Sequence, residues 1–334
     1  MKINTRQNWI DWAKFIGIFL VVFGHAYWRG DALPVRAFIY SFHMPFFFFL
    51  SGYLHRDSDN VKEYLSKNIR TLFIPYLILP ILACSYVVPL WIHNDVVFNL
   101  KTILYGYLTG NVKCLPSSAF WFVYCLMLIK LLVFFLLKIS KILQVLFVII
   151  GFILVYYHVL LFNFRIDAAL IAIAFFFIGY YLHRLQVMEL LKNNSVIFFS
   201  FIASLSVLLF TSQLNGPNVD VYLCLFGESV FLYYFNAILG SFMIFMLAKL
   251  LNSVQSKFMT VIASGTLLIM AFHAPGITYN FLAESMSIPD SLSISIPIKF
   301  IISVLNIILL YYPILFIQKY ASFILGGRKA AVRQ

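Results

Sequence analysis

Residues 9–26 read WIDWAKFIGIFLVVFGHA, a run apolar enough to cross a bilayer that nevertheless carries Asp11, Lys14 and His25. Ionisable groups at membrane depth are costly unless they meet a partner or a wet cavity, so they mark functional sites. Lys14 and His25 stand about eleven positions apart, roughly three helical turns and about 16 Å of rise, which puts both on one face of a helix. That helix then lines one cavity, with a cation low in it and an imidazole high in it. Asp11, three residues before Lys14, is placed to neutralise it as helical pairs do.

Composition agrees with the membrane reading. Hydrophobic residues make up 63% of the chain and charged residues only 11%, too few to cover its surface in water. Mean hydropathy is +0.94. The net charge of +12 comes in short basic clusters between apolar runs, a pattern of topology and not of nucleic-acid binding. The first apolar run lacks a small-residue cleavage site and is expected to be a retained helix.

Ten apolar segments of suitable length fall at about 9–28, 38–54, 71–91, 120–137, 142–162, 168–183, 195–212, 228–248, 258–280 and 297–320. With the N-terminus inside, sixteen of the 24 basic residues lie in inner stretches and six in outer ones, Lys299 among the outer; Lys14 and Lys130 lie within helices. The positive-inside rule therefore places both termini in the cytoplasm. The expected fold is all-α, a polytopic membrane protein of about ten transmembrane helices. The longest loop, about 92–119, is expected outside. No internal repeat and no matched pair of broken helices is visible, which counts against a transporter.

The cysteines Cys84, Cys114, Cys125 and Cys224 show no metal-ligand spacing and read as packed thiols, so no metal site is expected. Cys114 and Cys224 share the expected outer face, where a disulfide between them stays open.

Placed by depth, the polar residues form two groups. Toward the outside lie His25, His43, Trp121, Asp167, Glu228 and His273; toward the inside lie Asp11, Lys14, Arg56, Lys67 and Arg70. An outer histidine group joined to an inner basic group suits an enzyme with two substrates, an anionic one held inside and proton transfer outside. The plain alternatives are interfacial histidines and topology-setting lysines.

These blocks together resemble a known family. WIDWAKFIGIFLVVFGHA, then FIYSFHMPFFFFLSGYLHR and SKNIRTLFIPYL, are similar to the acyltransferase-3 family of integral membrane O-acyltransferases, nearest its fucose 4-O-acetylase-like branch. Weaker echoes are AFWFVYCL, FFFIGYYLHR and MAFHAPGI. The resemblance implies one transmembrane domain over residues 1–334, in a multi-pass protein of a bacterial inner membrane. It implies transfer of an acyl group, usually acetyl, from cytoplasmic acyl-CoA to a hydroxyl of an extracytoplasmic sugar or cell-surface polysaccharide. Acyl-CoA is then a co-substrate, and no bound cofactor is expected.

The family's basic residue and histidine fall on Lys14 and His25, its Arg-x-x-Arg pattern on Lys67 and Arg70, and its LSG motif on Leu50, Ser51 and Gly52. The expected roles follow from these positions. His25 is the general base, with Asp11 in the catalytic group. Lys14, Lys67, Arg70 and Ser51 hold acyl-CoA; a lone ammonium at Lys14 lacks the two-pronged fork of arginine. His43, Trp121, Glu228 and His273 meet the acceptor. The competing reading is a polytopic transporter or flippase for a polysaccharide intermediate.

Overall fold

The computed structural model describes residues 7–27, 33–93, 100–111, 117–157, 164–273 and 292–327. These are almost entirely helical. Helix α1 spans Asn8–His25, α2 Leu33–Tyr40 and α3 His43–Tyr53. Helix α4, Val61–Asn68, runs through a π-helical turn at Ile69–Phe73 into α5, Ile74–His93. Then follow α6 (Leu100–Thr109), α7 (Trp121–Leu136), α8 (Lys141–Tyr156), α9 (Ile166–Arg184) and α10 (Val187–Leu190). Helix α11 covers Asn194–Asn215 and α12 Val230–Leu250; between them a small antiparallel hairpin pairs β1, Val219–Asp220, with β2, Leu225–Phe226. The described chain closes with α13 (Lys257–Ser264), α14 (Thr266–Phe272), α15 (Leu292–Leu309) and α16 (Tyr311–Tyr320).

Local chemistry sets where helices begin. Asn60, Ser140, Asn193, Ser229 and Ser256 each turn a side-chain oxygen onto the first free amides of α4, α8, α11, α12 and α13. Each such cap is worth about 1 kcal/mol. Pro45 sits in the first turn of α3, where a missing N–H costs no intrahelical bond.

Five helices among the described residues are long and apolar enough to cross a membrane: Val61–Ser85, Ile166–Arg184, Asn194–Asn215, Val230–Leu250 and Ile294–Tyr320. Trp121–Leu136 and Lys141–Tyr156 are shorter apolar helices. Helix α1 has 18 residues, but its polar side chains dilute its apolar character.

Two expected spans are broken. The segment expected at 38–54 is divided between α2 and α3, because Phe42 leaves helical geometry at φ −145°. At eleven residues α3 is about 16 Å long, half a hydrocarbon core. The segment expected at 258–280 is interrupted at Gly265, between α13 and α14. Interrupted helices, which the sequence reading did not find, are therefore present. The expected outer loop at 92–119 contains α6. Lys299, expected in an outer stretch, is 1% exposed within α15, its ammonium 4.7 Å from the ring of Tyr27.

Helix α1 is the hub. It packs against α2, α3, α12, α13, α14 and α15, burying Trp9, Ala13, Ile18, Val21 and Val22 in the main core. The most extensive helix pairing among the described residues is α3 with α9. There Gly52 lies against the backbone carbonyl of Phe176 and Gly179 against that of Phe49, so close that a Cβ on either glycine would fall 1.9 Å from the oxygen.

Candidate active site

The end of α1 brings three imidazoles together from three separate helical segments. Gly24 makes the approach possible: a Cβ there would lie 2.9 Å from Ile39, so α2 seats directly against α1 beside His25. The break after α2 then starts α3 at His43, whose Nδ1 lies 2.9 Å from the Ile39 carbonyl. From the other side α14 ends at Phe272, leaving His273 in extended geometry just beyond it. The His273 ring stacks on that of His25 with centroids 4.7 Å apart, and its Nε2 is 2.5 Å from His25 Nδ1. The rings of His25 and His43 stand edge to face at 6.3 Å. His43 and His273 are buried and His25 half-buried.

Polar neighbours complete this end. Tyr40 meets the His43 ring at 4.7 Å, and the Arg36 guanidinium lies 3.9 Å over Tyr40. Arg36 Nε donates to the Pro217 carbonyl, tying α2 to the hairpin segment. Ser117 donates to the Met270 carbonyl, which also faces His273.

At the other end of α1, Asp11 is buried and its Oδ1 lies 4.0 Å from the Lys14 ammonium. Asp11 precedes His25 by about fourteen positions, roughly 21 Å of rise, so it reaches Lys14 and not the imidazole. Its place is that of a residue holding Lys14.

The remaining expected site residues are distributed differently. Lys67 and Arg70 are exposed, Arg70 on the π-helical turn, an irregularity common at functional sites. Ser51 is half-buried on α3. Trp121 is buried against Phe48, Phe122 and Tyr222, so its ring contacts are packing partners. Glu228 is exposed beside the hairpin, with its amide bonded to the Asn215 carbonyl. Asp167 accepts from the amide of Ala168 at the start of α9. The structure thus gathers His25, His43 and His273 and pairs Asp11 with Lys14. Trp121 and Glu228 are not among the groups that contact the histidines. Cys224 and Cys125 are free thiols; Cys114, and with it the open disulfide, lies outside the described residues.

One buried histidine went unread in the sequence. His55, just after α3, is enclosed by Tyr64, Phe176 and Tyr180, with Asp57 4.0 Å away. Burial, reinforced by the Lys130 and Lys67 ammonium groups, pushes its pKa down from 6.5 to about 3. Between those values the unfolded chain binds a proton that the folded one refuses, so His55 contributes stability above about pH 6.5 that is lost as pH falls toward 3. A His55→Gln protein in detergent should show a flatter fall in melting temperature across that window than the parent. Superimposable profiles would remove His55 as a source of acid sensitivity.

A sequence model of the family described as an acyltransferase domain matches residues 7–317, nearly the whole chain. Neither curated proteins nor solved structures yield a match. Among the described residues no group of three or more His, Cys, Asp or Glu side chains is arranged to hold a metal ion.

Proposed function

The chain belongs to the acyltransferase-3 family and is a membrane acyltransferase; from that premise we propose that it moves an acyl group, acetyl in the first instance, from cytoplasmic acyl-CoA to a hydroxyl of an extracytoplasmic sugar or cell-surface polysaccharide. The observation that carries this reading is the arrangement along α1: a half-buried imidazole among two buried ones at one end, and the Asp11–Lys14 pair near the other. A bacterial inner membrane is the setting in which cytoplasmic donor and external acceptor meet.

The chemistry needs little beyond placement and a base. The thioester is already activated, so the protein must position it, accept the hydroxyl proton and stabilise the developing oxyanion. As the acceptor oxygen bonds to the thioester carbon, its proton passes to His25. Collapse of the tetrahedral intermediate breaks the C–S bond, and His25 returns the proton to the departing sulfur. The products are the ester and free CoA. His43, with Nδ1 committed to the Ile39 carbonyl, offers its other nitrogen as an acceptor for a second sugar hydroxyl. Lys14, oriented by Asp11, meets the donor partway along its arm. Lys67 and Arg70 bind its phosphates by charge-assisted bonds.

Purified protein with labelled acetyl-CoA tests the reading: slow hydrolysis or stoichiometric binding is expected, and neither would be seen with a flippase. The helix interruptions at Phe42 and Gly265 are the observation that favours transport, since transporters place sites at such breaks. Charge reversal by Arg70→Glu or Lys67→Glu should weaken acyl-CoA binding about tenfold or more, each lost charge-assisted bond being worth roughly 1.5–3 kcal/mol, while acceptor affinity holds. Unchanged binding in a folded variant would return both residues to a topological role.

Sidedness is a separate expectation. Inside-out vesicles should consume external acyl-CoA and acylate an enclosed acceptor, whereas right-side-out vesicles should ignore external acyl-CoA. A requirement for both substrates on the cytoplasmic side would move the acceptor site inward.

A further inference from the structure

Hydrogen bonding around His273 leaves little choice about where protons sit in the histidine cluster. Its Nδ1 lies 2.9 Å from the Ile269 carbonyl and 3.1 Å from that of Met270. Both oxygens belong to the last turn of α14; that of Ile269 also accepts from the His273 amide, and that of Met270 from the Ser117 hydroxyl. A carbonyl oxygen carries no proton, so Nδ1 of His273 must be the donor. A neutral imidazole has one N–H, so its Nε2 is a bare lone pair and can only accept. What faces that lone pair is Nδ1 of His25, which therefore donates. The single proton of neutral His25 is then on Nδ1, and its Nε2 is left bare.

An additional proton on the pair would bury an uncompensated cation. The neighbours are His43 from α3, and Tyr40 with Arg36 above it from α2; Ser117 donates to the same Met270 carbonyl from the third side. Among the described residues none of these contacts is an anion, the carboxylate of Asp220 acting on Tyr40 and not on the pair, and an unpaired buried charge is expensive. The neutral chain from Ile269 and Met270 through His273 to His25 gives both His273 nitrogens and Nδ1 of His25 a partner and leaves Nε2 of His25 bare.

We infer that His273 is a positioning residue: by accepting from Nδ1 of His25 it holds that imidazole in the tautomer whose bare Nε2 takes the acceptor proton. The inference rests on the assignment of His25 as base. It gives His273 a role different from acceptor contact. During transfer Nε2 of His25 gains the hydroxyl proton and later gives it to the thiolate of CoA, while Nδ1–H keeps its bond to His273 throughout. The partner is a neutral ring, so it orients and delocalises the transient imidazolium without supplying a full counter-charge. A carboxylate in the same position would add that charge.

The test reads the tautomer directly. Nitrogen-15 spectra of histidine-labelled protein in nanodiscs at neutral pH, with His25 resonances assigned by their loss in His25→Gln, should show a pyrrole-type Nδ1 and a pyridine-type Nε2. In His273→Ala the His25 proton should redistribute toward Nε2. Acetyl transfer should fall about 10²-fold or more, within the range a misplaced general base forfeits, with acetyl-CoA binding unchanged. His273→Gln, whose amide oxygen can accept from Nδ1, should recover part of both the tautomer and the rate. A wild-type His25 protonated on Nε2 overturns the inference, whatever the variants at His273 do. An unaltered tautomer in His273→Ala overturns it as well. If the tautomer is as expected but the wild type transfers no acyl group, the proposed reaction fails instead.

Discussion

His25→Ala protein should fold, bind acyl-CoA as the parent does, and transfer acyl groups about 10²–10⁴-fold more slowly. The expectation follows from where His25 sits. It is the half-buried member of a cluster whose other two rings are buried and engaged with backbone carbonyls. His25 alone has a ring nitrogen accounted for by another imidazole and a second nitrogen left for chemistry. Truncation removes no core residue, so loss of fold is not the expected route to inactivity. Retained binding separates a missing base from a collapsed site. Turnover within a few-fold of the parent would make His25 a helix-end residue and leave the base unidentified.

Much of this site is legible in the sequence. Asp11, Lys14 and His25 are costly in an apolar run, and cost is visible in a single sequence. His43 and His273 each stand two residues before a proline, Pro45 and Pro275, which signals a helix boundary beside each. Their contact with His25 could not, because it depends on how α1, α3 and α14 pack. Trp121 and Glu228 were placed with the histidines by depth alone, and depth says nothing of the angle around the bundle. The two helix breaks are hidden from the sequence for a related reason. Hydropathy averages over a window, so the turn at Ser41–Phe42 and the break at Gly265 vanish inside segments that remain apolar throughout. Hydropathy likewise leaves Lys299 at an outer helix end, whereas its burial against Tyr27 depends on tertiary packing.

One internal similarity spans only ten residues. FFFLSGYLHR at 47–56 and FFFIGYYLHR at 175–184 are near copies, and they are the tails of the two most closely paired helices, α3 and α9. The contacts are reciprocal, although the glycines and the tyrosines that make them stand one position out of step between the two copies. Gly52 abuts the Phe176 carbonyl and Gly179 the Phe49 carbonyl. Tyr53 meets the ring of His183, and Tyr180 that of His55. Two similar helices thus cross with each glycine over the carbonyl three residues before the other, a geometry in which Cα–H groups can approach oxygens directly. Lipid offers no hydrophobic drive for helices to associate, so such small-residue contacts carry the association.

A methyl group at either position must therefore displace a backbone. Gly52→Ala or Gly179→Ala should each cost about 1–3 kcal/mol of stability, the range for overpacking. Gly52→Val should cost more, with little folded protein recovered. Thermal unfolding of purified protein in detergent measures the first two, and yield after size exclusion the third. Activity should fall further than stability does, because α3 carries His43 and any separation of α3 from α9 shifts it against His25. The double variant is the sharper test. Once the helices have moved apart to admit one methyl, room for the second exists at the same crossing, so Gly52→Ala with Gly179→Ala should cost clearly less than the two single losses together. Neighbouring sites that share a backbone shift couple in this way, by about 0.5–3 kcal/mol. Strict additivity would mean that each glycine relaxes its own surroundings independently, and the reciprocal crossing would then be a geometric coincidence and not the joint that holds α3 in place.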